Sequence, residues 1–226
     1  MEWHNQYPVY MHCITWSNGR IASMAHVLLI RHAENDFTQA GKLAGWKAGV
    51  RLNKAGQEQA ALLAEDLARA PIKAVYSSPL ARALQTARPI AVVRQLHVRR
   101  CARLGEVRYG DWQGKSLKAL RRLKLWRLIQ QRPSAVTFPG GESIRSVQVR
   151  AVAAIEDLVV RHPKDCIAVV SHGDVIKMIV ACYLGMPLDL YQRIIISTAS
   201  VSELWFFSGE VRVLRVNQTI TGPGEK

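Results

Sequence analysis

The chain has 226 residues, 49% hydrophobic and 21% charged, the balance of an ordinary soluble globular protein rather than a disordered tail. That length fills one α/β domain and is short for two, and no apolar run can span a bilayer, since Val175 to Leu184 is short and interrupted by Lys177. The formal charge of +14 attracts anions, yet Lys and Arg are scattered and no nucleic-acid motif accompanies them, so neither nucleic acid nor membrane is the expected partner.

Residues 1–23 carry Trp3, His4, His12, Cys13 and Trp16 without periodicity and lack the basic start and apolar run of a secretory signal. They are expected to be an N-terminal extension, with an arm packing on a partner subunit as the alternative, which leaves a homodimer open. From Val27 a continuous apolar run stops abruptly at Arg31-His32, as a buried strand does when it delivers charged groups at its C-terminal end. Ligands of open α/β sheets bind beyond the carboxyl ends of the strands, so Arg31 is placed to hold an anion and His32 to react with it.

The stretch Asn35 to Val50, rich in small residues, predicts a loop around a small ligand. A helix follows from Lys54 to Ala70 with Asn53 as N-cap, ended by Pro71. Strand Ile72 to Tyr76, a Ser-Pro turn and a helix from Leu80 to about Val93 carry Arg82. Between Arg94 and Phe138 the alternation lapses. Leu104 to Gly114 holds Glu106, and Ser116 to Gln131 predicts one basic amphipathic helix with Leu117, Leu120, Leu123 and Leu128 on its apolar face. Its Lys and Arg residues are expected to help select an anionic substrate.

Gly140-Gly141-Glu142-Ser143 restarts a helix that runs to about Arg161. Strand Cys166 to Val170 then ends in Ser171-His172-Gly173, and a helix from Asp174 to Leu184 points its positive N-terminus at that end. Ser200 to Phe207 and Glu210 to Val216 alternate about Ser208-Gly209 as a closing antiparallel hairpin. The four cysteines lack zinc spacing, and Cys166 and Cys182, in apolar runs, are expected to be buried free thiols in a reducing cytoplasm. His26, His97 and His162 are expected to be structural or exposed. The alternation predicts a three-layer α/β/α sandwich with a mostly parallel sheet.

Six motifs in order carry a family resemblance: Arg31-His32-Ala33-Glu34, Leu43-Ala44-Gly45 with Gly49 to Ala60, Ser77 to Arg82, Leu104 to Gly114, Pro139 to Ser143, and Ser171-His172-Gly173. Together they resemble the histidine phosphatase superfamily, also called phosphoglycerate mutase-like. The resemblance implies that fold, with a single domain over residues 24–220, an inserted lid at about 105–138 and a polar tail at 221–226. It implies a metal-independent, cofactor-free phosphomonoesterase acting on a small anionic metabolite. His32 would be the nucleophile and Glu106 the proton donor. Arg31, Arg82 and His172, the last as imidazolium, would carry the phosphoryl charge, and Thr38, Gly45 and Gly173 would join them in binding substrate.

Three positions depart from the family pattern: Ala33 stands for the usual Gly, Asn35 for Thr, and Thr38 for an Asn that donates to phosphate. Ala33 fits only if its φ stays negative. Glu34 is expected to be a solvated or hydrogen-bonded side chain outside the chemistry. The stretches Leu43-Ala44-Gly45 and Leu104 to Gly110 are more similar to the phosphatase branch than to the glycolytic mutases. A phosphoglycerate mutase and a catalytically weak phosphate-binding protein are the alternatives.

Overall fold

The computed structural model describes residues 24–219, and the expectations placed on residues 1–23 and 221–226 lie outside the described residues. Strands Met24–Arg31 (β1), Ile72–Ser77 (β2), Val98–Arg100 (β3), Cys166–Ser171 (β4), Val201–Phe207 (β5) and Glu210–Gln218 (β6) form one sheet in the order β3-β2-β4-β1-β5-β6. The first four in that order run parallel; β5 is antiparallel to β1, and β6 to β5. The helices in chain order are Asp36–Gln39 (α1), Lys54–Asp66 (α2), Ala81–Val93 (α3), Leu117–Leu120 (α4), Lys124–Gln131 (α5), Ile144–Arg161 (α6) and Gly173–Tyr183 (α7).

Because successive strand residues face opposite sides, β1 is apolar on both faces and needs cover on both. Leu28 and Ile30 pack with Leu63 of α2 and Ile90 of α3, whereas Val27 and Leu29 pack with Ile155 of α6 and Ile179 of α7. Each of these fully buried aliphatic side chains contributes about 1.5–3 kcal/mol of transfer free energy. The result is the expected three-layer α/β/α arrangement. Trp112, Leu120, Ile129 and Phe138, from the stretch where alternation lapses, join the second of these clusters.

Caps fix where two of the covering helices start. The Asn53 side chain accepts from the Gly56 N–H at 2.8 Å, and Ser143 Oγ accepts from the Ser146 N–H at 3.0 Å. The parallel register then brings three strand ends level. The His32 N–H donates to the Ser171 carbonyl and the Ser78 N–H to the Val170 carbonyl, both at 2.9 Å. Arg31-His32, Ser77-Ser78 and Ser171-His172 therefore emerge side by side.

Two expectations fail here. The helix expected over Ser116 to Gln131 is broken into α4 and α5, with Leu123 extended at φ −82°, ψ 145°. The break resets the helical phase, so Leu120 and Ile129 are both buried while Leu123 and Leu128 face outward. Cys182 lies on the exposed side of α7, although Cys166 is buried as expected. The short strand β3 and helix α1 were not foreseen in the sequence. His26 pairs with the buried Glu203 and His162 with Asp165, while His97 is exposed, in keeping with structural or surface roles.

Candidate active site

At the carboxyl ends of β1, β4 and β2 lies a cavity of about 330 Å³ whose wall includes Arg31, His32, Arg82, Glu106, Gly173 and Asp174. His32 is almost fully buried, and its Nδ1 sits 2.8 Å from the carbonyl oxygen of Ala33. A carbonyl can only accept, so Nδ1 carries the proton and Nε2 presents a lone pair. Arg82 Nε donates to that Nε2 at 3.2 Å. Burial, then the charges of Arg82 and Arg31, holds His32 well below the usual imidazole range. The ring is neutral at pH 7.

Arg82 is itself buried and spans the site. One of its Nη atoms donates to the Gly45 carbonyl at 3.0 Å and to Nδ1 of His172 at 3.3 Å. With Nδ1 accepting, Nε2 of His172 carries the proton and donates to Ser78 Oγ at 2.8 Å. Burial, followed by Arg82 and His32, holds His172 well below the usual range. The imidazolium expected at His172 is thus a neutral ring in this site, hydrogen-bonded to Arg82. Gly45 likewise acts through its carbonyl on Arg82.

Arg31 donates through Nη1 to the Ile196 carbonyl at 2.6 Å, and its buried Nε has no hydrogen-bond partner among the described residues. Gly173, the first residue of α7, lies against this guanidinium: a Cβ there would stand 3.2 Å from Arg31 Nε. Backbone N–H groups of the α7 N-terminus and two guanidinium groups thus border one cavity, an arrangement suited to a phosphoryl anion.

Glu106 comes from the loop after a 3-10 turn at Ala102–Leu104. Its carboxylate stands 3.9 Å from Arg82 and 3.7 Å from His172, and Oε1 accepts from the Val107 N–H at 3.0 Å. Burial first, and the nearby charge of Asp174 second, push Glu106 up to about 7 against the pull of Arg82. Such a carboxyl can donate a proton near neutrality. The loop is shaped by Gly110, whose φ is +51° and whose Cβ position would lie 2.0 Å from the Pro139 carbonyl oxygen.

Ala33 is not among the residues with positive φ, and its N–H donates to Thr86 Oγ1 at 3.0 Å. The condition set for it by the sequence is met. Thr38 borders the cavity, but its hydroxyl donates to the Asn35 carbonyl at 2.7 Å and accepts from the Asn35 N–H at 3.0 Å, closing a capping box on α1. Its proton is committed to the helix, so the expected donation to phosphate is not what this geometry offers. Glu34 accepts from the Asn53 amide at 2.9 Å, outside the cavity wall, as expected.

Sequence reasoning missed much of the remaining wall. Trp126, Ile129 and Gln130 of α5 line it, while Arg121, Arg122, Lys124 and Arg127 point to solvent. The cations that do border the cavity away from the arginines are Lys42 and Lys177. Asp174 and Tyr109 were also missed; the only signal was a charged residue directly after Ser171-His172-Gly173.

A family model described as the histidine phosphatase superfamily (branch 1) matches residues 27–219. Phosphoserine phosphatase 1 of Hydrogenobacter thermophilus is 31% identical over 198 residues, covering 87% of this chain and 93% of that protein. Among solved structures, YhfR of Bacillus stearothermophilus is similar with a TM-score of 0.81 and 28% identity, over 87% of this chain and 98% of its own. The phosphoserine phosphatase of Entamoeba histolytica, in complex with 3-phosphoglyceric acid, gives a TM-score of 0.79 and 26% identity, over 86% and 98% of the two chains.

Proposed function

This chain belongs to the histidine phosphatase superfamily, and on that premise we propose that it hydrolyses phosphomonoesters of small anionic metabolites by way of a phosphohistidine at His32. The observation that carries the reading is the state of the His32 ring: protonated at Nδ1, neutral, and offering Nε2 to a cavity bordered by two arginines.

In the first half-reaction His32 Nε2 attacks phosphorus in line and the bond from phosphorus to the ester oxygen breaks. Arg31 and Arg82 stabilise the charge that spreads over the equatorial oxygens. The Glu106 carboxyl gives its proton to the departing alkoxide, so the alcohol leaves neutral. In the second half the Glu106 carboxylate takes a proton from water, water oxygen attacks phosphorus, and the bond to Nε2 breaks. Inorganic phosphate leaves, and the ring and the acid are restored.

Two of the relatives are named phosphoserine phosphatases, and one of these is in complex with 3-phosphoglyceric acid. A cavity of about 330 Å³ suits esters of that size. No helix among the described residues is long and apolar enough to cross a membrane, and the free thiols Cys101, Cys166 and Cys182 suit a reducing cytoplasm. A mutase would have to retain a bisphosphate and exclude water; some relatives carry mutase names, but those of Hydrogenobacter thermophilus and Entamoeba histolytica described above are named phosphoserine phosphatases.

The deciding experiment incubates the protein with 3-phosphoglycerate or phosphoserine in excess chelator and follows products by phosphorus NMR. Release of inorganic phosphate supports the reading. Equilibration of 2- and 3-phosphoglycerate without release would establish a mutase, and loss of activity restored only by a divalent cation would establish a metallophosphatase.

A further inference from the structure

We propose that Asp174 is a positioning residue that keeps the Glu106 carboxyl protonated, so that Glu106 meets the substrate as an acid. The inference rests on the reading of Glu106 as proton donor and assigns that role its source.

By proximity to cations alone, Glu106 should be ionised. Arg82 stands 3.9 Å from it, Arg31 borders the same cavity, and Arg150 of α6 donates to the Glu106 backbone carbonyl at 3.0 Å. An ionised carboxylate there would neutralise the phosphate site and have no proton to give. The neutral rings of His32 and His172 neither add nor remove charge. Tyr109, in the same loop, and Tyr191, in the turn Leu188–Arg193, also face Glu106, both with phenols held neutral by burial, and Lys42 and Lys177 border the same cavity.

Asp174 is the second carboxylate on this wall. It is the second residue of α7, with its side chain about a quarter exposed. The Tyr109 hydroxyl donates to its Oδ2 at 2.9 Å, and Lys177 Nζ donates to its Oδ1 at 3.2 Å and to Gln192 Oε1 at 3.3 Å. These donors, together with the positive end of the α7 dipole, stabilise the ionised form of Asp174. Among the described residues Glu106 accepts from one backbone N–H and from no hydroxyl or ammonium, with the Arg82 guanidinium at 3.9 Å, beyond hydrogen-bond reach. Two carboxyl groups share a cavity, and the donors are allotted to one of them. The proton therefore resides on the other.

Tyr109 makes the link mechanical as well as electrostatic. It lies three residues after Glu106, so its bond to Asp174 ties the α7 N-terminus to the loop that carries the acid. A carboxylate beside an anion site otherwise opposes binding. Tuning the acid gives that carboxylate a purpose.

The test replaces charge while keeping shape. Asp174→Asn retains an acceptor for Tyr109. With protein labelled at the glutamate carboxyl carbons, and the Glu106 signal assigned through Glu106→Gln, carbon NMR follows the Glu106 titration directly. The midpoint should fall by about one pH unit in Asp174→Asn and return in Asp174→Glu. Asp174→Ser, which removes the same charge and keeps a capping hydroxyl at the start of α7, should lower it likewise and serves if Asp174→Asn does not fold. The basic limb of kcat/KM for glycerol 2-phosphate should move with the midpoint, and that for p-nitrophenyl phosphate should not.

An unmoved Glu106 midpoint overturns the inference, as does a raised KM with an unmoved limb, which would make Asp174 a substrate contact. The titration needs no turnover, so it is separable from the phosphatase reading. A protein in which Asp174 shifts Glu106 but which releases no phosphate from any ester defeats the proposed function, and the acid role with it.

Discussion

Arg82 Nε points at Nε2 of His32 across 3.2 Å, occupying the lone pair that, in the proposed mechanism, must reach phosphorus. The incoming phosphoryl oxygens have to draw that guanidinium onto themselves before Nε2 is free. Arg82 thus adds to burial in holding the proposed nucleophile neutral before substrate arrives and would stabilise charge once it has. Arg82→Lys keeps a charge but cannot reach His32, Gly45 and His172 with one planar fork. We expect kcat to fall by about 10²–10³-fold with the fold retained by circular dichroism; a loss under tenfold contradicts the assignment.

Glu106→Gln removes the acid but not the nucleophile. For alkyl phosphates kcat/KM should drop by about 10²–10⁴-fold. For p-nitrophenyl phosphate, whose leaving group needs little protonation, the drop should be under about tenfold. Equal losses on both substrates would show that Glu106 positions rather than protonates.

The pH profile follows from the two shifts. His32 lies well below the usual imidazole range, so it stays unprotonated across neutral pH and does not set the acid limb. That limb belongs to the second ionisation of the ester, near about pH 6. Glu106, raised to about 7, must be protonated to act and sets the basic limb. For alkyl phosphates kcat/KM should therefore peak between these values and decline above pH 7. For p-nitrophenyl phosphate it should stay level there, and a matching decline would contradict the assignment.

Gly110 tests the frame beneath the acid. Any side chain at φ +51° meets both backbone strain and the Pro139 carbonyl. Gly110→Ala should cost about 2–3 kcal/mol and lower Tm by roughly 5–10 °C, measured by thermal melting. An unchanged Tm would mean that the loop relaxes freely.

The residues that could be read in advance are those whose neighbours in sequence announce them. Arg31 and His32 follow an unbroken apolar strand, Arg82 opens a helix after a Ser-Pro turn, and His172 precedes a helix N-terminus, so strand-end chemistry was legible. Thr38 was misjudged because its hydroxyl chooses between a ligand and the Asn35 backbone, and only the conformation of α1 decides that. The charge of His172 depends on burial beside Arg82, a residue 90 positions away. Asp174 matters through Tyr109, 65 positions away, and no local pattern encodes that meeting. The break between α4 and α5 escaped because four leucines fit one helical stripe in sequence, while the core takes only Leu120 of them and Ile129 beyond.

The central claim is a covalent phosphoryl group on His32, and Glu106→Gln offers the means to catch it. With p-nitrophenyl phosphate this variant can still form the intermediate, because the leaving group needs no acid, but it lacks the base that activates water. Mass spectrometry of the protein quenched in alkali soon after mixing should find one phosphoryl group on the peptide containing His32. It should find none when His32→Ala is combined with Glu106→Gln. A phosphoryl group on any other residue, or on the double variant, would contradict the account.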